Sequence, residues 1–485
     1  MPVLPGLREI IRVSTRSQRV LITGIIAGKL EASVAHQATG VLPDDISRDP
    51  RAESWLIFVD LAAGVDVQTW LRDTATVAVQ QLTAPLPELN TSVAVCTVGF
   101  GAGLFDKAGH AELRPAGLTA SLPKVVPVEN HDLVFYVFSL SDAVVADFLR
   151  AVATGPSVAK AEIERGYQRT NRREVFGQLD GLRNVVPKAD RAKVAFIGDD
   201  EPEVPEWGRG GSYMAYLKIK QDVAAWQRMN ADQQAAVIGR RLDGSRLDLP
   251  AGTAPEDEGT IATGAALPPV ASHVRKAGPR GNPNEDAVRI FRRGTPFIEC
   301  DASGALTEGL QFVSYQASVD DFLTILQRWM LNPSFPTNGA QLDALFTNNL
   351  ATFLKGGLYF AVPEDDRFIG AGLFDAAGDS NGVLQIRVVV TDQSNQPDPM
   401  ASLEGAAFTV AGPSGNLAIT TTNAAGRATV EHLPVGVALT VTETAPPPGA
   451  SLPSAPSQSI TLERCKPELL RFLNPRSGTP DGYGA

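Results

Sequence analysis

The chain has 485 residues, 44% of them apolar and 20% charged, with a formal net charge of −11. That length admits two or three domains, each able to bury a core, and the balance is that of a globular protein. The negative charge, with no compensating basic tract, excludes general nucleic-acid binding. The Lys/Arg residues near 160–193 and 273–293 are interrupted by acids and read as solvated faces. Three cysteines, Cys96, Cys300 and Cys465, lie far apart and form no C-x-x-C string. Neither a thiolate metal site nor a disulfide framework is expected, and a reducing compartment fits best. The first residues lack a charged region followed by a long apolar run. No secretory signal and no membrane span are therefore expected, which points to the cytoplasm.

Residues 54–62 read as a buried strand. Residues 66–82 carry Val67, Trp70, Leu71, Val77 and Leu82 at helical spacing. Strands are expected at 92–99 and 132–139. Ser141 then reads as the N-cap of a helix with Val144, Val145, Phe148, Leu149 and Val152 on one face. A fourth strand is expected near 166–175. This order is the split βαβ, ferredoxin-like pattern: an antiparallel sheet with helices on one face. The pattern recurs with a strand at 210–219 and helices over 220–240, where Asn230 and Gln233 have capping-box spacing. A strand at 309–316 follows, then a helix at 319–331 and a strand at 357–362 stopped by Pro363. The expected class is α+β, with two ferredoxin-like halves over residues 1–375. Two sheets with a groove between them would suit a flat ligand.

Residues 365–383 are rich in Gly, Asp and Ala and read as a linker, narrowest at 376–383. From 384 the chain alternates short strands with turn residues: 384–390, 406–412, 417–421, 427–431, 437–443, 457–462 and 468–473. That spacing predicts an all-β, immunoglobulin-like sandwich over 384–475. The Gly/Pro/Ser-rich tail, 476–485, reads as disordered.

Residues with chemical potential sit in short ordered strings. Residues 176–184 read Phe-Gly-Gln-Leu-Asp-Gly-Leu-Arg-Asn. Residues 271–297 hold His273, one of five histidines, and the pair Arg292-Arg293. Taken singly, a lone histidine, a Gly-x-x-Asp-Gly turn and an Arg-Arg-Gly string are ordinary core and turn features. Their order and neighbours are not ordinary. Together with Pro279-Arg280, Gly210-Gly211-Ser212-Tyr213, the Gln221–Trp226 string, Ile238-Gly239-Arg240-Arg241, the Gly309–Gln316 string and the Gly356–Pro363 string, they resemble the dye-decolourising peroxidases. These are haem enzymes built on two ferredoxin-like halves, and the resemblance runs over about 1–375.

The resemblance implies a non-covalent haem b, and hence iron, held by His273 as axial ligand. It makes Asp180 the acid–base and Arg292 the cation on the other side of the cofactor, with Arg293 structural or facing a propionate. Phe312 and Arg275 are expected to border the cofactor, and Asp343 to receive a hydrogen bond from the ligand's second nitrogen. Hydrogen peroxide and dye or phenol-like aromatic donors are the implied partners. Trp226, Trp329, Tyr315 and Tyr359 are candidate electron relays, although large aromatics more often fill cores. Some relatives carry Asn two residues after the arginine; this chain has Gly294. Two other readings stay open: a deferrochelatase-like haem or porphyrin handler on the same fold, and a non-enzymatic scaffold or adhesin-like protein.

Residues 403–450 resemble the collagen-adhesin B-type, prealbumin-like repeats of bacterial surface proteins. Glu443 and Asn474 match two positions of the isopeptide cross-link found in many such repeats. The first strand, 384–390, has no lysine, so no cross-link is expected. The module leaves homo-oligomerisation or docking to a protein partner or shell open. An extracellular setting, usual for such repeats, would need a route without a signal.

Overall fold

The computed structural model describes residues 51–477 except 88, 170–171, 183, 186–187, 199–203, 256–266, 279–287, 301–302, 366, 378–381, 392–397, 399–400, 414 and 463–467. The N-terminal segment, Arg183, Pro279-Arg280, Cys465 and the tail from 478 lie outside the described residues. The chain divides into two compact units between Gly370 and Ala371.

The first unit holds β1 (Glu53–Leu61), β2 (Ala94–Phe100), β3 (Leu133–Ser139), β4 (Val158–Tyr167), β5 (Ser212–Gln221), β6 (Phe291–Arg292), β7 (Thr295–Cys300), β8 (Leu306–Gln316) and β9 (Ala351–Ala361). Their order is β4-β1-β3-β2-β9-β5-β8-β6, with β7 also on β8. The first half thus places its strands in the order fourth, first, third, second, and the second half repeats that order with β6 and β7 together taking the second place. Helices follow the first and third positions: Val67–Trp70 running on into Val77–Thr83, and Asp142–Val152, in the first half. In the second they are Val223–Gln227 with Ala231–Ile238, and Val319–Leu323 running on to Met330. Asn230 and Gln233 make the predicted capping box, each side chain bonding the other's backbone N–H at 2.9 Å.

The halves join edge to edge at Gly99↔Ala361 and Phe100↔Phe360. They form one continuous sheet rather than the expected pair of sheets with a groove between. Where the halves face each other, Phe58, Tyr136 and Phe138 of the first pack with Tyr216, Val313 and Tyr315 of the second in one buried cluster. Large aromatics fill that interface, so room for a ligand lies instead on the other face of the second half.

The fourth strand lies earlier than expected, at Val158–Tyr167. Its inward position is Glu164, 2% exposed, while the neighbouring Ile163 is 47% exposed. A hydrophobicity pattern reads such a strand inside out. The stretch read as a linker contains a helix, Ala371–Ala377, burying Leu373, Phe374 and Ala377.

In the second unit, β10 (Gly382–Thr391), β11 (Ala407–Gly412), β12 (Gly415–Thr421), β13 (Arg427–Leu433), β14 (Ala438–Ala445), β15 (Ser457–Thr461) and β16 (Glu468–Pro475) form two sheets, β13-β10-β16 and β12-β11-β14-β15. The sheets share a core that includes Ile386, Val388, Phe408, Val410, Val441 and Phe472. β10 pairs parallel with β16, and the other pairs are antiparallel.

Within that unit Glu443 is 1% exposed and Asn474 fully buried. Asn474 Nδ2 donates to Glu443 Oε1 at 2.8 Å. Glu443 Oε2 and Asn474 Oδ1 are buried without a hydrogen-bond partner. Burial pushes the Glu443 carboxyl from an ordinary value of 4.5 up to about 7, against the pull of the Asn474 amide. Between those values the folded state holds a proton that the unfolded state has lost, so stability falls as pH rises through the window. The loss is expected to reach up to about 3 kcal/mol by pH ~8. Glu443→Gln should remove that part of the slope, read as the difference in urea midpoint between pH ~5 and pH ~8. Equal slopes in the two proteins would count against the assignment.

Candidate active site

The loop from Glu174 to Val185 is shaped by its own side chains. Glu174 accepts hydrogen bonds from Phe176 N at 3.0 Å, Gln178 N at 2.9 Å and Gln221 Nε2 at 2.9 Å. Burial still raises its pKa above the ordinary value, against those hydrogen bonds. Gly177 and Gly181 have φ of +83° and +80°, a region that glycine enters without steric cost. Between them Asp180 is held by its backbone N–H to Arg172 O at 2.9 Å, and its Oδ1 accepts from Gly181 N at 2.6 Å. Trp226 braces the loop: it stacks on Phe176 at 4.6 Å and its Nε1 donates to Phe176 O at 2.9 Å.

The same loop is registered to β6. Asn184 Nδ2 donates to Arg292 O at 2.8 Å, and Arg292 N donates back to Asn184 Oδ1 at 3.0 Å. Arg292 Nη2 donates to Leu182 O at 3.0 Å, and Nη1 stands 4.0 Å from Asp180 Oδ1. Because β6 pairs with β8 through Arg292↔Ser314, carboxylate and guanidinium are carried by one sheet edge. A Cβ at Gly294 would lie 2.7 Å from Gln311 O and 3.1 Å from Phe312 Cα. Close passage of the chain over β8 therefore demands glycine where some relatives have asparagine.

His273 opens the short helix His273–Ala277, after Ser272 in extended conformation. Its Nδ1 lies 2.8 Å from Oδ2 of Asp343, which is fully buried. The other oxygen of Asp343 accepts from Leu345 N at 3.0 Å, capping the helix Ala344–Thr347. An ionised carboxylate only accepts, so Nδ1 carries the hydrogen and Nε2 keeps its lone pair. Burial works against protonation of His273, but the charge and hydrogen bond of Asp343 outweigh it and raise the pKa. The imidazole is thereby made a stronger base.

These groups meet in one cavity between the outer face of the second half and its helices. Leu217, Ile219, Leu310 and Phe312 line it from β5 and β8, Val274 and Leu326 from the helices. A bulge between Lys218 and Ile219 shifts the β5–β9 register, so Phe353 joins the cavity face while Tyr359 stays in the core. Asp180, His273 and Arg292 all line the cavity; about a third of the His273 side chain is accessible there.

Arg275, expected at the same place, is half-buried and is not among the described lining residues. Arg240, Arg241 and Arg289 are lining residues, with the Arg240 and Arg241 guanidiniums donating to carbonyls of the 244–249 loop. Arg293 turns away: it is 8% exposed and its guanidinium lies 4.6 Å over the Phe138 ring. Of the four aromatics singled out as relays, Trp329 alone is among the described lining residues. Tyr315 and Tyr359 belong to the cluster between the halves, and Trp226 to the core under the Asp180 loop.

Residues not anticipated from the sequence support this arrangement. Glu174 and Asn184 hold the loop. Lys276 is fully buried, and its Nζ donates to Asn332 O at 2.7 Å, to Gln341 O at 3.0 Å and to Phe335 O. Its position one turn after His273 is the signal that could have marked it. An imidazole lone pair, apolar walls and several guanidiniums suit a flat apolar macrocycle that carries a metal and anionic arms.

Residues 171–366 match the family model described as Dyp-type peroxidase, C-terminal. Over 309 residues the chain is 28% identical to the dye-decolorizing peroxidase of Thermobifida fusca, covering 58% of this chain and 67% of that protein. It is 29% identical over 212 residues to the deferrochelatase of Escherichia coli, covering 41% of this chain and 45% of that protein. The chain thus matches less than half the length of the second relative. The DyP-type peroxidase from Cellulomonas bogoriensis superposes with a TM-score of 0.56 at 24% identity, over 71% of this chain and 98% of that one. A Rhodococcus jostii RHA1 DypB variant in complex with haem gives 0.51 at 22%, over 68% and 97%. At those identities the structural matches speak to the fold. Residues 171–366 of the first unit thus carry a match to the Dyp-type peroxidase C-terminal domain, and the first unit is similar in sequence and fold to Dyp-type peroxidases, haem-dependent enzymes that act on peroxide.

Proposed function

We propose that the chain reduces hydrogen peroxide and oxidises dyes or phenol-like aromatic donors, with haem held by Nε2 of His273. The observation that carries this reading is that Asp180, Arg292 and an imidazole oriented by Asp343 line one apolar cavity. Haem, when bound, supplies the redox centre at which the O–O bond breaks and from which donors are oxidised. Asp180 moves the proton: Oδ1 is held by Gly181 N at 2.6 Å, which leaves Oδ2 to take a proton from peroxide and return it to the departing oxygen. Arg292, fixed by Asn184 and Leu182, stabilises the negative charge that builds on that oxygen. Asp343 keeps His273 in one tautomer and orientation. The apolar walls exclude water.

The test is spectroscopic. Haem-supplied wild-type protein is expected to show a Soret band that His273→Ala loses while keeping its far-UV circular dichroism. A full Soret band of unchanged position in His273→Ala would sink the assignment. A second reading, haem handling of the deferrochelatase type, draws support from the 29% identity to the Escherichia coli protein of that name. Peroxide turnover unaffected by substitution of Asp180 and Arg292 would favour it.

We further read residues 384–475 as an immunoglobulin-like module following the enzyme unit, with 376–383 as its lead-in. Two sheets sharing one core support this reading. A module of this kind can serve oligomerisation or docking.

A further inference from the structure

A second cluster of titratable groups lies where the two halves of the sheet face each other. Glu129 and His131 precede β3, Glu162 is on β4, and one ligand-type atom from each lies within 4.8 Å of the others. His131 is 4% exposed. Its Nδ1 stands 3.0 Å from Asp60 Oδ2. The carboxylate can only accept there, so Nδ1 carries a hydrogen, and in the neutral imidazole Nε2 has the lone pair. Nε2 is buried without a hydrogen-bond partner among the described residues and faces Glu129 Oε2 at 3.9 Å. A buried lone pair turned towards carboxylates is repulsive unless a cation stands between them.

The charge count points the same way. Asp60, Glu129, Glu162, Glu164 and Glu299 supply five carboxylates. Lys355 reaches Glu129 at 3.3 Å, Glu164 at 2.6 Å and also Glu162. Lys218 serves Glu164 at 3.3 Å and Glu299 at 2.8 Å, and Lys160 stands 3.9 Å from Glu162. Three ammonium groups thus meet five carboxylates, an excess of two negative charges in a site that is partly buried.

We propose that Glu129, His131 and Glu162 bind one divalent metal ion of the zinc type. One imidazole and two carboxylates form a donor set that zinc accepts, with a solvent position left for a fourth ligand. The Asp60–His131 pair is the arrangement that orients a metal-binding imidazole, with the carboxylate on the nitrogen away from the ion. Ligand bonds of about 2.0–2.2 Å need the donors roughly an ångström closer together. Glu129, with 45% of its side chain exposed, is free to swing in. Lys355 keeps Glu164 when Glu129 moves. The ion would tie the segment before β3 to β4 within the first half, beside Lys355 on β9. This site is separate from the haem cavity and does not depend on it.

The test uses the full-length, haem-supplied protein, freed of loose metals with a chelator and titrated calorimetrically with Zn²⁺, with Mg²⁺ as control. One Zn²⁺ per chain is expected, with a rise in unfolding temperature. Glu129→Gln, at a half-exposed position that should fold normally, should weaken binding at least ~10-fold. Asp60→Asn should weaken it ~10–100-fold, as losses behind a metal ligand do, and neither variant should gain the same thermal shift. No stoichiometric Zn²⁺ binding up to millimolar concentration, or wild-type affinity in Glu129→Gln, would overturn the proposal.

Discussion

Arg292→Leu is expected to slow peroxide-dependent dye oxidation by about 10²–10³-fold, the usual cost of removing a fixed donor aimed at developing negative charge. Haem loading should hardly change, because the side chain contributes no ligand to iron. The structure explains why this arginine cannot be replaced by its neighbour. Arg293 is committed to the opposite face of the sheet, over the Phe138 ring, and its carbonyl accepts a hydrogen bond from Tyr136. The Arg292 backbone, by contrast, is bound on both polar groups by the Asn184 side chain. Leucine keeps that backbone pairing and loses only the cation, so the comparison isolates charge. Measured kcat and kcat/KM should fall together, since the interaction acts as charge develops rather than on binding. A loss below tenfold, with the Soret band intact, would remove Arg292 from the mechanism and strengthen the haem-handling alternative.

The second large effect is structural. Lys276→Met should lower the unfolding free energy by about 3 kcal/mol, because three part-buried carbonyls lose their charged donor. Those carbonyls belong to Asn332, Phe335 and Gln341, on the segment that leads from Met330 to Asp343. Asp343 N in turn donates to Met330 O at 2.9 Å. The lysine therefore ties the helix of His273 to the segment that delivers its carboxylate partner. Met has nearly the right length and no charge, which separates hydrogen bonding from packing. Urea denaturation followed by far-UV circular dichroism gives the number, and a loss below about 1 kcal/mol would show that the loop is held by other contacts.

Some of the site could be read directly because it is local. The glycines at 177 and 181 meet a backbone requirement within their own turn, and Asp180 lies between them. Asn230 and Gln233 cap a helix three residues apart. The strands of the second unit each fall within a few residues of their expected places, since alternating apolar residues and turn residues specify them segment by segment. Asp343 was named through family resemblance alone, since 70 residues separate it from His273 and no local rule links them.

Other features depended on register and on buried charge. β4 defeats pattern reading because Glu164 points in and Ile163 out, an inversion stabilised by Lys218, Lys355, Tyr216 and Gln311 from distant strands. The face on which the cavity lies follows from the pairing of the halves through Gly99 and Phe100, and from the bulge in β5–β9. Which arginines line the cavity follows from the loops after Ile238 and before β6, which bring in Arg240, Arg241 and Arg289. By itself, then, the sequence determined the order of most elements and the strings that hold Asp180, His273 and Arg292. Tertiary structure alone decided which of these side chains share a cavity, because a contact across tens of residues is set by strand register and by charge pairing that no local pattern records.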